Sequence, residues 1–342
     1  MRLSEIIEPI KHDLEEFERE FKNILKSDIF LIDKVVHYIV SHRGKRLRPI
    51  LVLLTSRLNG SAPVASSGAL TSGADLQNLK RLKAAAILEL LHTATLVHDD
   101  VVDDSYRRRG FPTVNSIWKN KISVLMGDYL FSKALLAMLH MGDVKAFGII
   151  SNTAERMSQG ELLQVERSRD FWMEEEIYFR LIADKTASLL AASCQLGALA
   201  GGQNDEQVES MRDFGEYLGL SFQIRDDLLD LLGVEKNTGK PIGNDIRENK
   251  ITLPLLYALK QAEKKESKRI IKMVRESNGR PATRESMREI VNFINAHGGV
   301  AYATKTAEDF AGRAMSILQN YDDSKIKTAL SNLIRFITVR DN

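Results

Sequence analysis

Two aspartate clusters constrain this chain more than any other feature: Asp99-Asp100-Val101-Val102-Asp103-Asp104 and, far downstream, Asp226-Asp227-Leu228-Leu229-Asp230. Each follows the pattern Asp-Asp-x-x-Asp and each ends an apolar run. The first run is Leu-Glu-Leu-Leu-His-Thr-Ala-Thr-Leu-Val; the second carries Phe214, Leu218, Leu220 and Phe222. On a helix of about 3.6 residues per turn, Asp99 shares a face with Asp103, and Asp226 with Asp230. Acidic pairs at that spacing belong on solvated surfaces, because like charges repel and carboxylates are costly in apolar surroundings. Two such pairs at the ends of apolar helices therefore call for positive charge. If the two helices face each other, their carboxylates surround one cavity, suited to hard divalent cations holding a phosphate-rich ligand.

The rest of the pattern is helical. Apolar residues at helical spacing predict helices over Leu3 to Leu25, Ile29 to Val40 and Pro49 to Leu58, then a long one from about Leu76 to Asp104. Further helices are expected near 122–140, 143–169, 173–201 and 204–233, with four or five shorter ones from Thr252 to Val339. Three segments read as loops: a Gly/Ala/Ser-rich stretch at about 59–75, an Arg/Gly/Pro-rich one over Ser105 to Lys121, and Gly233 to Lys250 with Gly239, Pro241 and Gly243. Alternating strand patterns are missing from the sequence. No linker divides the 342 residues, so the expectation is one all-α domain spanning 1–342, a large helical bundle.

Composition narrows the function. With 44% hydrophobic and 27% charged residues and a formal net charge of +2, the chain reads as an ordinary globular protein and offers no broad basic surface for nucleic acid. The lone Cys194, in Leu-Ala-Ala-Ser-Cys-Gln-Leu-Gly, excludes a disulfide framework and reads as a buried thiol. The amphipathic segment Met1 to Lys26 is unlike a signal peptide, and no apolar run looks long enough to span a bilayer; the expected location is cytoplasmic.

Basic segments flank both acidic clusters. They are Gly44-Lys45-Arg46-Leu47-Arg48-Pro49 at a helix start, Arg107-Arg108-Arg109-Gly110 just after the first cluster, and a set formed by Lys185-Thr186, Lys240 and Lys250. Short basic runs are often only solvated surface. Beside two metal-type clusters they acquire a purpose: cations on one side and Arg/Lys on the other suit a diphosphate, whose departure eases as its charge is neutralised.

At these residues the chain resembles the trans-isoprenyl diphosphate synthases, or polyprenyl synthetases. The matching stretches, in order, are Gly44 to Pro49, Leu91 to Ser105, Arg108-Arg109-Gly110, Met126-Gly127-Asp128, Gly160-Glu161, Lys185-Thr186, Gln223 to Asp230, and Gly239 to Ile246. The resemblance implies an all-helical fold around a deep central cavity, usually in a homodimer. It implies that an allylic diphosphate ionises, that isopentenyl diphosphate attacks the carbocation, and that a proton is then lost. By the same carry-over, Asp99 and Asp103 would bind two of three magnesium ions, and Asp226 the third with Asp227 and Asp230 in support. Arg108, Lys185 and Lys240 would hold the allylic diphosphate, with Lys250 a weaker match. Lys45, Arg48, His92 and Arg109 would bind isopentenyl diphosphate, and Thr186 and Gln223 would place oxygen dipoles near the cation. His92 also admits a structural reading, as a buried histidine on an apolar helix; its place about two turns before Asp99 puts it on the metal-binding face.

In the family the residues before the first aspartate line the product tunnel, where bulky aromatics stop growth. Here Ala94 and Thr95 occupy those positions, so the tunnel should continue past Leu91 and Ile87 toward Met126, Tyr129, Leu130 and Lys133. The expected product is long, about hexaprenyl to octaprenyl, of the kind that supplies a quinone side chain. Alternatives are a shorter farnesyl or geranylgeranyl diphosphate synthase, a terpene cyclase, a non-catalytic synthase subunit, and a phosphohydrolase whose metal centre uses His92 with His98-Asp99. The last leaves the second aspartate cluster and the basic segments without a role.

Overall fold

The structure, a computed structural model, describes residues 2–42, 44–59, 73–168, 170–233, 244–247, 250–276 and 284–338. The fold is all-helical, as expected. Among the described residues the only strands are the two-residue β1 (Arg107–Arg108) and β2 (Phe111–Pro112), paired antiparallel. The helices are α1 (Leu3–Ile6), α2 (Lys11–Leu25), α3 (Phe30–Ser41), α4 (Leu47–Thr55), α5 (Gly73–Val102), α6 (Val114–Met141), α7 (Val144–Arg167), α8 (Glu175–Ile182), α9 (Ser188–Ala200) and α10 (Asp205–Leu232). They continue with α11 (Asn244–Arg247), α12 (Leu253–Gln261), α13 (Lys264–Glu276), α14 (Arg284–Ala296), α15 (Gly299–Leu318) and α16 (Lys325–Thr338). The chain forms two compact units: Met1–Ala154 with Leu189–Gly215 and Ile317–Leu333, and Glu155–Ser188 with Glu216–Ser316 and Ile334–Asn342.

The first unit is organised on α5, which packs against α2, α4 and α6. Its buried run of Ala84, Ala85, Ala86, Ile87 and Leu88 combines small and branched residues, which allows close packing on more than one side. Helix α2 contributes Phe17, Phe21 and Leu25, one residue per turn on a single apolar stripe. Helix α4 is buried from Pro49 to Thr55, and its one hydroxyl, Thr55 Oγ1, donates to Leu51 O at 2.8 Å. Helix α9 meets it backbone to backbone at Gly197, where a Cβ would lie 2.5 Å from Val52 O.

The second unit holds two apolar clusters. One gathers Phe171, Leu231, Leu255, Ile270 and Ile290, and the other Tyr178, Ile182, Leu220, Ile224 and Leu253. Ile270, Ile271 and Val274 of α13 face the first cluster at helical spacing, while the outward side of that helix is rich in lysine.

Local departures from the expected elements have identifiable causes. The N-terminal helix breaks at the Glu8–Ile10 turn because Pro9 lacks the N–H a helix interior needs. The expected loop over 105–121 ends earlier, since α6 starts at Val114; Lys119, at φ 70°, kinks it close to the predicted start at 122. The single helix expected over 173–201 is interrupted by a π turn, Ala183–Ala187, of a kind often found at functional sites. Residues 60–72, the bulk of the expected loop at 59–75, lie outside the described residues, as do 234–243 of the second loop. One expectation is corrected: α6 is long and apolar enough to cross a membrane by length and composition. Its scattered Lys119, Lys121, Asp128 and Lys133 hid that from a reading of uninterrupted runs. A third of its apolar window is buried inside the protein, with α6 lying along α5.

Candidate active site

In the first unit, Asp99 lies on the last turn of α5 and Asp103 just beyond its end. Asp103 N donates to Asp99 O at 2.8 Å, the i to i+4 bond that sets the two side chains one above the other. A helix C-terminus carries partial negative charge, so acidic groups there repel the backbone dipole as well as one another, and a cation relieves both. The helix end is sealed locally: Asp100 O accepts from Ser105 N at 3.0 Å and from Asn115 Nδ2 at 3.0 Å. Asp100 itself is buried, and its carboxylate accepts from Arg108 Nε at 2.9 Å. Burial raises its pKa and Arg108 opposes the shift. Asp100 is thus a tether for the β1 arginine.

Around partly buried His92, about two turns earlier on α5, stand the arginines of two basic segments. Burial first, then Arg48, Arg109, Arg108 and Arg46, pushes the His92 pKa well below its usual 6.5, which leaves a neutral ring able to donate or accept. Arg48 is pushed down to about 10, chiefly by burial, and its Nε is buried without a hydrogen-bond partner among the described residues. Glycine permits this crowding: a Cβ on Gly44 would lie 2.0 Å from Arg109 Nη1, so a side chain there would push that guanidinium aside. Arg46 faces inward instead. In left-handed conformation at φ 54°, it pairs with Glu89 at 2.6 Å and Glu18 at 3.2 Å and lies 4.8 Å from the Phe21 ring, which anchors the segment carrying Lys45 and Arg48. A cluster of arginines with an orphaned buried N–H is an anion site.

The Met126-Gly127-Asp128 motif also acquires a role. A Cβ on Gly127 would lie 2.2 Å from His98 Nε2, and that nitrogen sits 3.2 Å from Val124 O and 3.3 Å from Asp128 Oδ1. His98 therefore joins α5 to α6. Among the described residues no three His, Cys, Asp or Glu groups converge as a self-sufficient metal centre.

In the second unit, a cavity is lined by Lys185, Thr186, Gln223, Asp227 and Lys250, together with Tyr178. Lys185 and Thr186 sit on the π turn, and Lys185 Nζ pairs with Glu161 at 2.7 Å and donates to Gln164 at 3.0 Å. The turn is pressed against α7 at Gly160, where a Cβ would lie 2.5 Å from Lys185 N. It is pinned from the other side by Arg156, whose Nε donates to Asp184 at 2.8 Å while its two Nη groups hold Glu216 at 3.0 Å each. Thr186 Oγ1 donates to Gln223 Oε1 at 2.9 Å, Gln223 Nε2 to Asp227 Oδ1 at 2.8 Å, and Tyr178 Oη to Asp227 Oδ2 at 2.8 Å. Burial, and the like charge of Asp245, hold the Asp227 pKa well above the carboxylate range. Asp230 Oδ2 accepts from Asp245 N at 2.9 Å.

The structure thus assembles Arg48, His92, Arg108 and Arg109 in one site and Lys185, Thr186, Gln223, Asp227 and Lys250 in another. Lys45 is exposed beside the first; Lys240 lies outside the described residues. Ala94 is buried, and Thr95 Oγ1 turns back to His92 O at 2.9 Å, so neither blocks the helix face below Asp99. The reading of the sequence missed Tyr178 and Arg156, and quoted Arg46 and Asp245 within motifs without giving them roles. Tyr178 left a signal of its own, seven residues and about two turns before Lys185.

A helical fold with an arginine-rich anion site and aspartate-rich helix ends defines a class of diphosphate-handling synthases. The polyprenyl synthetase family model matches residues 30–294, and the chain belongs to that family. Over 341 residues it is 33% identical to octaprenyl diphosphate synthase of Escherichia coli (strain K12), covering 100% of both chains. It is 32% identical over 328 residues to geranylgeranyl diphosphate synthase of Saccharolobus solfataricus (strain ATCC 35092 / DSM 1617 / JCM 11322 / P2), 93% of each. The solved polyprenyl synthase from Caulobacter crescentus CB15, complexed with calcium and isoprenyl diphosphate, superimposes with a TM-score of 0.86 at 32% identity, covering 99% of this chain and 98% of that one. The protein is a prenyltransferase of the trans-polyprenyl diphosphate synthase class. The family works with magnesium, and the hard oxygen donors at Asp99 and Asp103 fit it: two carboxylates leave the remaining positions for waters and diphosphate oxygens, which magnesium prefers to an all-protein cage.

Proposed function

We propose that this enzyme condenses isopentenyl diphosphate with an allylic diphosphate to give an all-trans polyprenyl diphosphate of about hexaprenyl to octaprenyl length. The observation that carries the reading is the arginine cluster around neutral His92, with its unbonded Arg48 Nε. Arg48, Arg109, His92 and Lys45 bind the isopentenyl diphosphate. Arg108, Lys185 and Lys240, with Lys250, take the allylic diphosphate. Asp99 and Asp103, and Asp226 with Asp227 and Asp230, hold three magnesium ions. When bound, magnesium neutralises the diphosphate as it leaves.

The chain's own groups do the rest. Lys185 exchanges Glu161 and Gln164 for diphosphate oxygens. Because the Thr186 hydroxyl donates its hydrogen to Gln223, it turns lone pairs toward the cavity, where they stabilise an allylic cation. Apolar walls keep water from that cation. Ala94 and Thr95 pass a growing chain toward Leu91, Ile87 and the α6 residues Met126, Tyr129, Leu130 and Lys133.

A homodimer is the assembly that fits the outer face of α6 and the start of α7, where Leu125, Leu136, Leu139, Val144 and Phe147 are exposed. The product suits a quinone side chain, and the expected location is cytoplasmic. Incubating the purified chain with farnesyl diphosphate, isopentenyl diphosphate and magnesium, then chromatographing the product, tests the reading. A ladder ending at six to eight prenyl units is expected. Cyclised hydrocarbon formed without isopentenyl diphosphate would favour a cyclase, and an inactive chain a non-catalytic subunit.

A further inference from the structure

We propose that Tyr178 is a positioning residue that holds Asp227 and, through it, fixes the Gln223 amide and the Thr186 hydroxyl; the inference deepens the prenyl-transfer reading and rests on it. Tyr178 and Asp227 are 2% and 5% exposed, so neither group has water to fall back on. Both Asp227 oxygens are occupied by side-chain donors, Tyr178 Oη at 2.8 Å and Gln223 Nε2 at 2.8 Å. An Asp227 so engaged organises its neighbours and supports the metal site at Asp226 from behind, by fixing the side chains around it.

The polarity of the chain follows. Gln223 presents its amide nitrogen to Asp227 and its oxygen to Thr186. Thr186 must then donate, which points its lone pairs away from Gln223. Removing the Tyr178 hydroxyl would leave Asp227 Oδ2 without its donor, so that the carboxyl group can rotate and the Gln223 amide and Thr186 hydroxyl lose their fixed geometry.

Packing alone does not require the hydroxyl. The Tyr178 ring sits among Ile182, Ala187 and Leu253 and meets Phe179 edge-on at 5.5 Å, contacts that phenylalanine would keep. The π turn brings this helix and Thr186 to one cavity with Gln223 and Asp227.

Tyr178→Phe tests the role. Leaving a buried Asp227 oxygen without its donor should lower kcat by about 10- to 100-fold. The KM for isopentenyl diphosphate should hold within about twofold and the melting temperature within about 4 °C. In a double-mutant cycle with Thr186→Val, the two kcat losses should overlap rather than multiply. A crystal structure of Tyr178→Phe should show the Asp227 carboxylate and Gln223 amide displaced. An unchanged kcat, losses that multiply, an Asp227–Gln223 pair left in place, or a variant that fails to fold would each overturn the proposal in favour of a core tyrosine. A wild-type chain that makes no polyprenyl product would instead overturn the prenyl-transfer reading, and the crystal structure of the variant would still decide on Tyr178.

Discussion

Gly160→Ala puts one methyl group into a tight backbone contact of the second unit. The new Cβ would stand 2.5 Å from Lys185 N, 2.9 Å from Lys185 Cα and 3.0 Å from Asp184 C. All three are backbone atoms, so no side chain can swing aside. Restoring an ordinary contact of 3.4 Å from 2.5 Å requires α7 and the π turn to part by about 0.9 Å. Overpacking of this kind costs about 1–3 kcal/mol. The turn resists moving as a whole because Arg156 anchors Asp184 to Glu216. The displacement therefore falls on Lys185 and Thr186, and a misplacement near 1 Å lowers turnover by up to about 100-fold. Gly312→Ala, on exposed α15 with nothing within 4 Å, is the control and should stabilise the helix by about 0.5–1 kcal/mol. The assay is product formation from farnesyl and isopentenyl diphosphates, with thermal melts of both variants. A Gly160→Ala enzyme as active and as stable as Gly312→Ala would refute the reasoning.

His92 should make stability depend on pH. Its folded pKa lies below 6.5, so as pH falls below 6.5 the unfolded chain takes up a proton that the folded one refuses, and stability declines; above 6.5 the contribution is complete. Melting temperature against pH should accordingly fall less steeply for His92→Gln than for the parent between pH 6.5 and 5. Arg48→Met keeps the buried stem but removes the charge; KM for isopentenyl diphosphate should rise about 10- to 100-fold while the melting temperature holds or increases, because a buried cation no longer needs desolvating. Ala94→Phe should shorten the product, read by chromatography, and unchanged length would remove Ala94 from the tunnel wall.

Much of this protein was legible one helix at a time. Asp99 with Asp103, and Asp226 with Asp230, depend only on the rise of a helix, so the sequence alone put them on shared faces at apolar helix ends. The burial of Cys194, at 0% exposure, likewise followed from its small, apolar neighbours. The sequence order of the motifs pointed to the family that the comparisons confirm. What it could not supply were distances between residues far apart in the chain.

Only the tertiary structure decided which polar groups near the site are already engaged. It gave Asp100 to Arg108, turned Arg46 inward to Glu18 and Glu89, and joined Tyr178 to Asp227, partners 49 positions apart. It also set Gly160 against the backbone of Lys185, and Gly44 and Gly127 against the Arg109 and His98 side chains, by approaches from elsewhere in the fold. Helical periodicity states which side of a helix is apolar, but a hydrogen bond or steric contact is decided over a few tenths of an ångström, when two helices pack. The paired aspartates at 99–104 and 226–230 are thus local facts, and their division of labour is a fact of packing.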